Sequence, residues 1–135
     1  MSADSEPDLG IPLSGRKLQQ AKTYRLFIQL DRDQKLQIGR LGRFAFPAGR
    51  YVYTGSARRN LLSRLRRHLA DSKKHHWHID YLLASSFTKI THIELSILDE
   101  CVLNQSLSGD ILVKGFGASD CRSGCSSHLK YLGQL

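Results

Sequence analysis

The row Tyr51-Val52-Tyr53-Thr54-Gly55-Ser56-Ala57-Arg58-Arg59-Asn60-Leu61-Leu62-Ser63-Arg64-Leu65-Arg66-Arg67-His68 changes period in its middle, and that change governs how the rest of the chain is read. Over residues 50–54 the side chains alternate, with Tyr51 and Tyr53 on one face and Val52 on the other, which is the period of a strand. Gly55-Ser56 is expected to end the strand, because glycine permits a backbone bend that other residues resist. After Ala57-Arg58-Arg59, Asn60 has the chemistry of an N-cap, and Leu61, Leu62, Leu65 and Leu69 recur at helical spacing. Arg64 and His68 fall one turn apart beside that apolar stripe.

Upstream, Tyr24, Leu26, Ile28 and Leu30 alternate with Arg25, Phe27 and Gln29, so residues 24–30 form a half-buried strand. Asp31-Arg32-Asp33-Gln34 turns the chain, and residues 36–41 are a weaker strand candidate. Phe44 and Phe46 share a face before Pro47-Ala48-Gly49 turns the chain again. Residues 1–20 are polar or small, are broken by Pro7, Gly10, Pro12 and Gly15, and carry Asp4, Glu6 and Asp8, so they are expected to be a flexible acidic leader. Residues 21–135 then make one domain.

Downstream, a second helix is expected over residues 77–85 with Ile79, Leu82 and Leu83 turned inward, a strand over 89–97, a short helix over 99–107 and a small strand over 111–113. The remainder is rich in loop-forming residues. Strands and helices mixed in this way, after a hairpin-like start, specify an α+β fold: a small, mostly antiparallel sheet flanked by helices, not a doubly wound parallel sheet.

The charge is distributed unevenly. The formal net charge is +8, yet residues 16–74 hold 16 basic and 3 acidic groups while residues 75–135 hold 4 basic and 6 acidic groups. A basic half suits phosphate binding with counterion release, and an acidic half can supply a carboxylate for a divalent cation. Small basic proteins also bind nucleic acid without chemistry, so catalysis must be argued from particular residues. No apolar run approaches the roughly 20 residues of a membrane span, and no basic-then-apolar signal opens the chain. The expected location is the cytoplasm, with no membrane partner. Three cysteines, an odd number in a reducing compartment, imply free thiols or ligands instead of a disulfide frame.

The opening row resembles the second half of the GIY-YIG nuclease signature, through Tyr53, Gly55, Asn60-Leu61 and Arg64; Lys22-Thr23-Tyr24 maps onto the first half. The wider pattern is similar to the compact Uri-type endonuclease branch, through Phe46-Pro47-Ala48-Gly49, the row from His76 to Leu83, and Gly115-Phe116-Gly117-Ala118-Ser119-Asp120-Cys121. The resemblance spans about residues 22–132. Lys22 stands where the first motif has glycine, the loop from Tyr53 to Arg64 is one residue longer than in more familiar members, and Ser123-Gly124 lengthens the segment between Cys121 and Cys125.

The resemblance implies an endonuclease that hydrolyses phosphodiester bonds in DNA with one Mg²⁺ or Mn²⁺. In such a reaction water attacks in line and extra negative charge develops on non-bridging oxygens. Arg64 is the fixed cation, since a guanidinium is always charged and forks toward phosphate. Glu100, at an acidic helix start, is the candidate metal ligand, with Glu94 and Asp99 competing. Tyr24 and Tyr53 are candidates to orient or deprotonate the water, a nearby metal and arginine being able to lower a phenol's pKa. His68 and His76 are candidates for proton transfer. Gly55, Ser56, Arg58, Arg59, Arg67, Lys73 and Lys74 are the expected substrate contacts.

Each of these residues also has a plainer reading. Tyrosines on a strand face most often pack, and Tyr51, outside the motif, keeps that assignment. In the run from His75 to His78, adjacent histidines diverge, so His76 is expected to face the site while Trp77 packs and Asp80 caps locally. Cys121, Cys125 and His128 have C-x3-C-x2-H spacing, with Asp120 or Cys101 as a possible fourth zinc ligand. Three ligands without a clear fourth are a common coincidence, and no metal is assigned to the triplet. The alternatives to a nuclease are therefore a binding module of the same fold whose catalysis is weakened, and a zinc-stabilised interaction protein.

Overall fold

A computed structural model describes residues 21–57, 59–70, 74–117 and 125–135. The expected leader, Arg58, Lys73, Asp120 and Cys121 lie outside the described residues.

The first strand, β1 (Thr23–Leu30), buries Tyr24, Leu26, Ile28 and Leu30 on one face, as the alternation predicts. It lies between β4 (Gly49–Ser56) and β5 (Thr88–Ser96), and β6 (Leu129–Gly133) pairs with the far side of β4. All three pairings are antiparallel, which gives the order β5-β1-β4-β6. A separate hairpin, β2 (Gln34–Ile38) and β3 (Gly42–Phe46), carries Phe46 into the core beside Tyr51 and Phe116.

Helices cover both faces of the sheet. On the Tyr24 face pack α1 (Leu61–Leu69), which buries Leu61 and Leu65, and α2 (His78–Leu83), which buries Ile79 and Leu82. On the opposite face lies α3 (Glu100–Gln105). Arg25 of β1 points to that side and donates to the Leu103 carbonyl at 3.0 Å, and Lys130 Nζ of β6 donates to the carbonyls of Asn104 and Leu107, each at 2.6 Å. A cation at a helix C-terminus meets carbonyls with no partner inside the helix, and the fold uses Lys130 in this way.

The α+β expectation holds, and several local readings are corrected. Gly55 does not bend the chain: it is paired with Tyr24 inside β4, which runs on to Ser56. Asn60 is at the helix start as expected, but it adopts a left-handed backbone (φ 57°) and its side chain makes no cap hydrogen bond. Residues 111–113 form no strand; Asp110 makes a single bridge to Tyr131. The last strand, β6, was not expected. No helix among the described residues is long and apolar enough to cross a membrane.

Candidate functional site

The end of β4 is where the two faces of the sheet meet. At Ser56 the backbone carbonyl accepts a hydrogen bond from Arg64 Nη1 of α1. The hydroxyl of the same residue donates to Glu100 Oε1 of α3 at 3.1 Å. A guanidinium from one side of the sheet and a carboxylate from the other are thereby held by one residue. Glu100 keeps 29% of its side chain exposed, and its second oxygen lies 3.0 Å from His128 Nδ1.

Behind Arg64 stands a buried pair. Tyr24 Oη lies 2.7 Å from His68 Nε2, and the Arg64 guanidinium acts on it electrostatically. Burial pushes the Tyr24 phenol well above its ordinary range, the neighbouring Tyr53 adds to the effect, and Arg64 opposes it. With its proton retained, Oη keeps its short hydrogen bond to His68 while the Arg64 guanidinium stands close enough to oppose the rise. Tyr53 is likewise raised, mainly by burial and then by Glu100. Tyr24 is 1% exposed and Tyr53 8%. The expectation that arginine would bring these phenols down is reversed by desolvation, and of the two roles considered for them, orientation is the one their environment suits.

Two glycines fit the phenols closely. A methyl group at Gly55 would stand 2.5 Å from Tyr24 Cζ and Oη, and one at Gly117 would stand 2.9 Å from Tyr53 Cε1. Glycine at position 55 is thus explained by a ring lying across the strand.

Trp77 forms one wall. Arg64 Cζ lies 4.6 Å and Arg67 Cζ 4.4 Å from its ring centroid, a cation–π geometry. Its ring also meets His68 and His76, at centroid separations of 5.8 and 5.3 Å. His76 precedes α2 instead of belonging to it, and its exposed ring is separated from the Tyr24–His68 pair by Trp77. Arg67, expected at a phosphate, is engaged by Asp80 through two bonds of 2.9 Å and by the Lys74 carbonyl. Asp80 Oδ2 also accepts the backbone N–H groups of His76 and Trp77, each at 2.8 Å, so its expected capping role is present. Arg59, Arg66 and Lys74 are exposed around α1.

Of the three carboxylates that compete in sequence, geometry selects one. Glu94 pairs with Arg25 at 3.4 Å and Asp99 with Lys22 at 2.8 Å, leaving Glu100 as the one at Ser56. Lys22, where the resembling family has glycine, is therefore tied to the start of α3.

A second cluster adjoins the first. Cys101, Cys125 and His128 offer donor atoms that all lie within 4.8 Å of one another. The triplet read from the sequence joined Cys125 and His128 to Cys121; the described residues join them to Cys101, 24 positions before Cys125 and on a different element. Thiol and imidazole donors do not suit Mg²⁺ or Mn²⁺, which favour oxygen, so the ion expected at Glu100 and this cluster are chemically distinct.

The fold and this site define a small α+β domain that gathers an arginine, two buried phenols and a carboxylate at one strand end. The chain belongs to the family described as Domain of unknown function DUF123, whose model matches residues 23–135. No curated protein and no solved structure matches it.

Proposed function

We propose that the chain is a metal-dependent endonuclease of the GIY-YIG type, similar to its compact Uri-type branch, that hydrolyses phosphodiester bonds in DNA. The observation that supports this reading is the meeting of Arg64 and Glu100 on Ser56, beside a helix rich in arginine.

The chemistry follows from those groups. Water attacks phosphorus in line, the bond to the leaving oxygen breaks, and a 5′-phosphate remains, as the family resemblance implies. Arg64 offers fixed N–H donors to the non-bridging oxygens, and its position is set by Trp77, Tyr24 and Ser56. Glu100 would hold Mg²⁺ or Mn²⁺; a single half-exposed carboxylate, completed by water and phosphate oxygens, is the usual donor set for Mg²⁺. When bound, the ion supplies Lewis-acid stabilisation and an activated water. Tyr24, Tyr53 and His68 are positioning residues: all three are buried, Tyr24 is hydrogen-bonded to His68, and Tyr53 packs its ring against His68, so they back Arg64 from behind. Arg59 and Lys74 supply exposed positive charge along the path of the strand.

The test is incubation of wild-type, Arg64→Ala and Glu100→Ala protein with single-stranded, duplex and branched DNA, with and without Mg²⁺. Cleavage that needs Mg²⁺ and falls by about 10²–10³ in Arg64→Ala is expected, the usual loss for one transition-state donor. The burial of both phenols favours a second reading, a nucleic-acid-binding module of this fold with weakened catalysis. Salt-sensitive binding without cleavage, unchanged in Glu100→Ala, would select it.

A further inference from the structure

The imidazole of His128 faces two ways. Its Nδ1 lies 3.0 Å from Glu100 Oε2, and its Nε2 lies 4.0 Å from Cys101 Sγ, with Cys125 completing the group. The ring is 2% exposed and is fixed by its backbone, whose carbonyl accepts from Thr54 N at 2.9 Å and whose N–H donates to the Phe116 carbonyl at 2.8 Å. Two segments distant in sequence, the helix that carries Cys101 and the stretch from Cys125 to His128, thus present two sulfurs and one ring nitrogen to one small volume. Both thiols are partly exposed, so an ion has a route to them.

From this geometry we infer that Cys101, Cys125 and His128 bind one zinc-class cation, and that His128, ligating through Nε2, uses its Nδ1–H to hold Glu100 in place. Thiolate and imidazole are the donor types that select zinc. A tetrahedral ion would bring these donors to about 3.5–3.8 Å apart, a contraction of at most about 1.3 Å from separations that are all within 4.8 Å. Three protein donors leave a fourth corner for water or an added ligand. The second feature is independent of the donor count: a metal-bound histidine ordinarily gives its other N–H to a carboxylate, which fixes its tautomer. Glu100 occupies that place. Binding releases the thiol protons, and no oxidant or reductant is required.

The site stands without the nuclease reading; only the consequence for Glu100 as a metal ligand rests on it. The test uses reduced full-length protein, stripped of metal and titrated with Co²⁺ as a spectroscopic stand-in for zinc. One equivalent is expected to bind with sulfur-to-cobalt charge-transfer absorption, displaceable by Zn²⁺. Cys101→Ser and Cys125→Ser should each lose that absorption. Glu100→Gln should keep the stoichiometry and weaken binding by about 10–100-fold, the usual effect of removing a carboxylate that supports a ligand.

Should a cysteine variant fail to fold, thiol labelling of the wild type decides the matter. At least two of the three cysteines should be protected by zinc, and peptide mapping should identify Cys101 and Cys125. Absence of the cobalt spectrum in the wild type, a spectrum that survives in folded Cys101→Ser, or a Cys101–Cys125 disulfide in place of metal binding would each overturn the inference. A protein that binds cobalt as expected and cuts no DNA would retain this site and remove the nuclease reading. One that cuts DNA and binds no cobalt would do the reverse.

Discussion

Tyr24 lies across Gly55, its antiparallel partner in the sheet, so closely that a methyl group there would come within 2.5 Å of the ring. That contact aims the phenol at His68 and Arg64. Gly55→Ala must displace the ring or the strand, and overpacking of this kind costs about 1–3 kcal/mol. Urea denaturation should show that loss. In a Tyr24→Ala background the cost should nearly vanish, because the two positions share one contact; additive losses would mean that the ring is not what requires glycine.

Tyr24→Phe keeps the ring and removes the oxygen that is hydrogen-bonded to His68 and faces Arg64. The buried His68 loses its hydrogen bond, a loss of about 1–3 kcal/mol. If Tyr24 acts by positioning, cleavage should fall while the pH profile of the remaining activity keeps its shape. A profile that lost its basic limb would instead make the phenol a proton donor or acceptor in the reaction.

The raised phenols also set an alkaline limit. Folded Tyr24 and Tyr53 hold their protons more tightly than an unfolded tyrosine, whose pKa is about 10. Their contribution to stability is therefore complete below about pH 10 and is lost as pH rises through the folded values. Burial raises Tyr51 in the same direction, so ultraviolet titration should show three tyrosines resisting ionisation until the protein unfolds. Tyr53→Phe should lessen the alkaline loss of stability; a denaturation midpoint equally sensitive to alkali in wild type and variant would contradict the assignment.

At the acid end the corresponding group is Asp80, fully buried and paired with Arg67. Burial works against its ionisation, yet the Arg67 guanidinium and the backbone N–H groups of Trp77 and His76 hold its carboxyl below the ordinary range. Stabilisation from a lowered carboxyl is present above the unfolded value of about 3.9 and disappears as pH falls through the folded one. Asp80→Asn should cost about 3 kcal/mol at pH 7 by removing the carboxylate charge that Arg67 faces, and the gap to wild type should close as the pH is lowered below 4. Thermal unfolding across that range measures both.

Much of this was legible from local pattern. The alternation from Tyr24 to Leu30 fixed β1 and its buried face, and the spacing of Leu61, Leu65 and Leu69 fixed α1, because each signal is contained within a few residues. Gly55 reads in sequence as a bend, but its need for a small residue comes from Tyr24, 31 positions away and brought beside it only when β1 and β4 pair. The strand Leu129–Gly133 carries little sequence signal because it is short and its Lys130 points to the carbonyls of Asn104 and Leu107, where an apolar residue would signal burial. In sequence His128 groups with Cys121 and Cys125, and with Cys101 only as one possible fourth ligand, whereas its partner Glu100, more than 25 residues upstream, is joined to it only by the fold. Charge offered no help there, since Glu100, Glu94 and Asp99 are alike until their ion pairs are known.

Those ion pairs yield the sharpest separation of roles. Glu94 is held by Arg25 and Asp99 by Lys22, both on the surface, where such pairs contribute little to stability. Only Glu100 is reached by Ser56 and His128 together. Glu100→Gln keeps the shape of the side chain and an acceptor for the Ser56 hydroxyl, so the fold should lose no more than about 1 kcal/mol. Mg²⁺-dependent cleavage, by contrast, should fall below detection, while Glu94→Gln and Asp99→Asn cut at wild-type rates. Ser56→Ala should be intermediate, since it frees one oxygen of Glu100 and leaves the other beside His128. A Glu94→Gln or Asp99→Asn variant that lost cleavage while Glu100→Gln retained it would move the metal ligand elsewhere on α3 or β5, and with it the site.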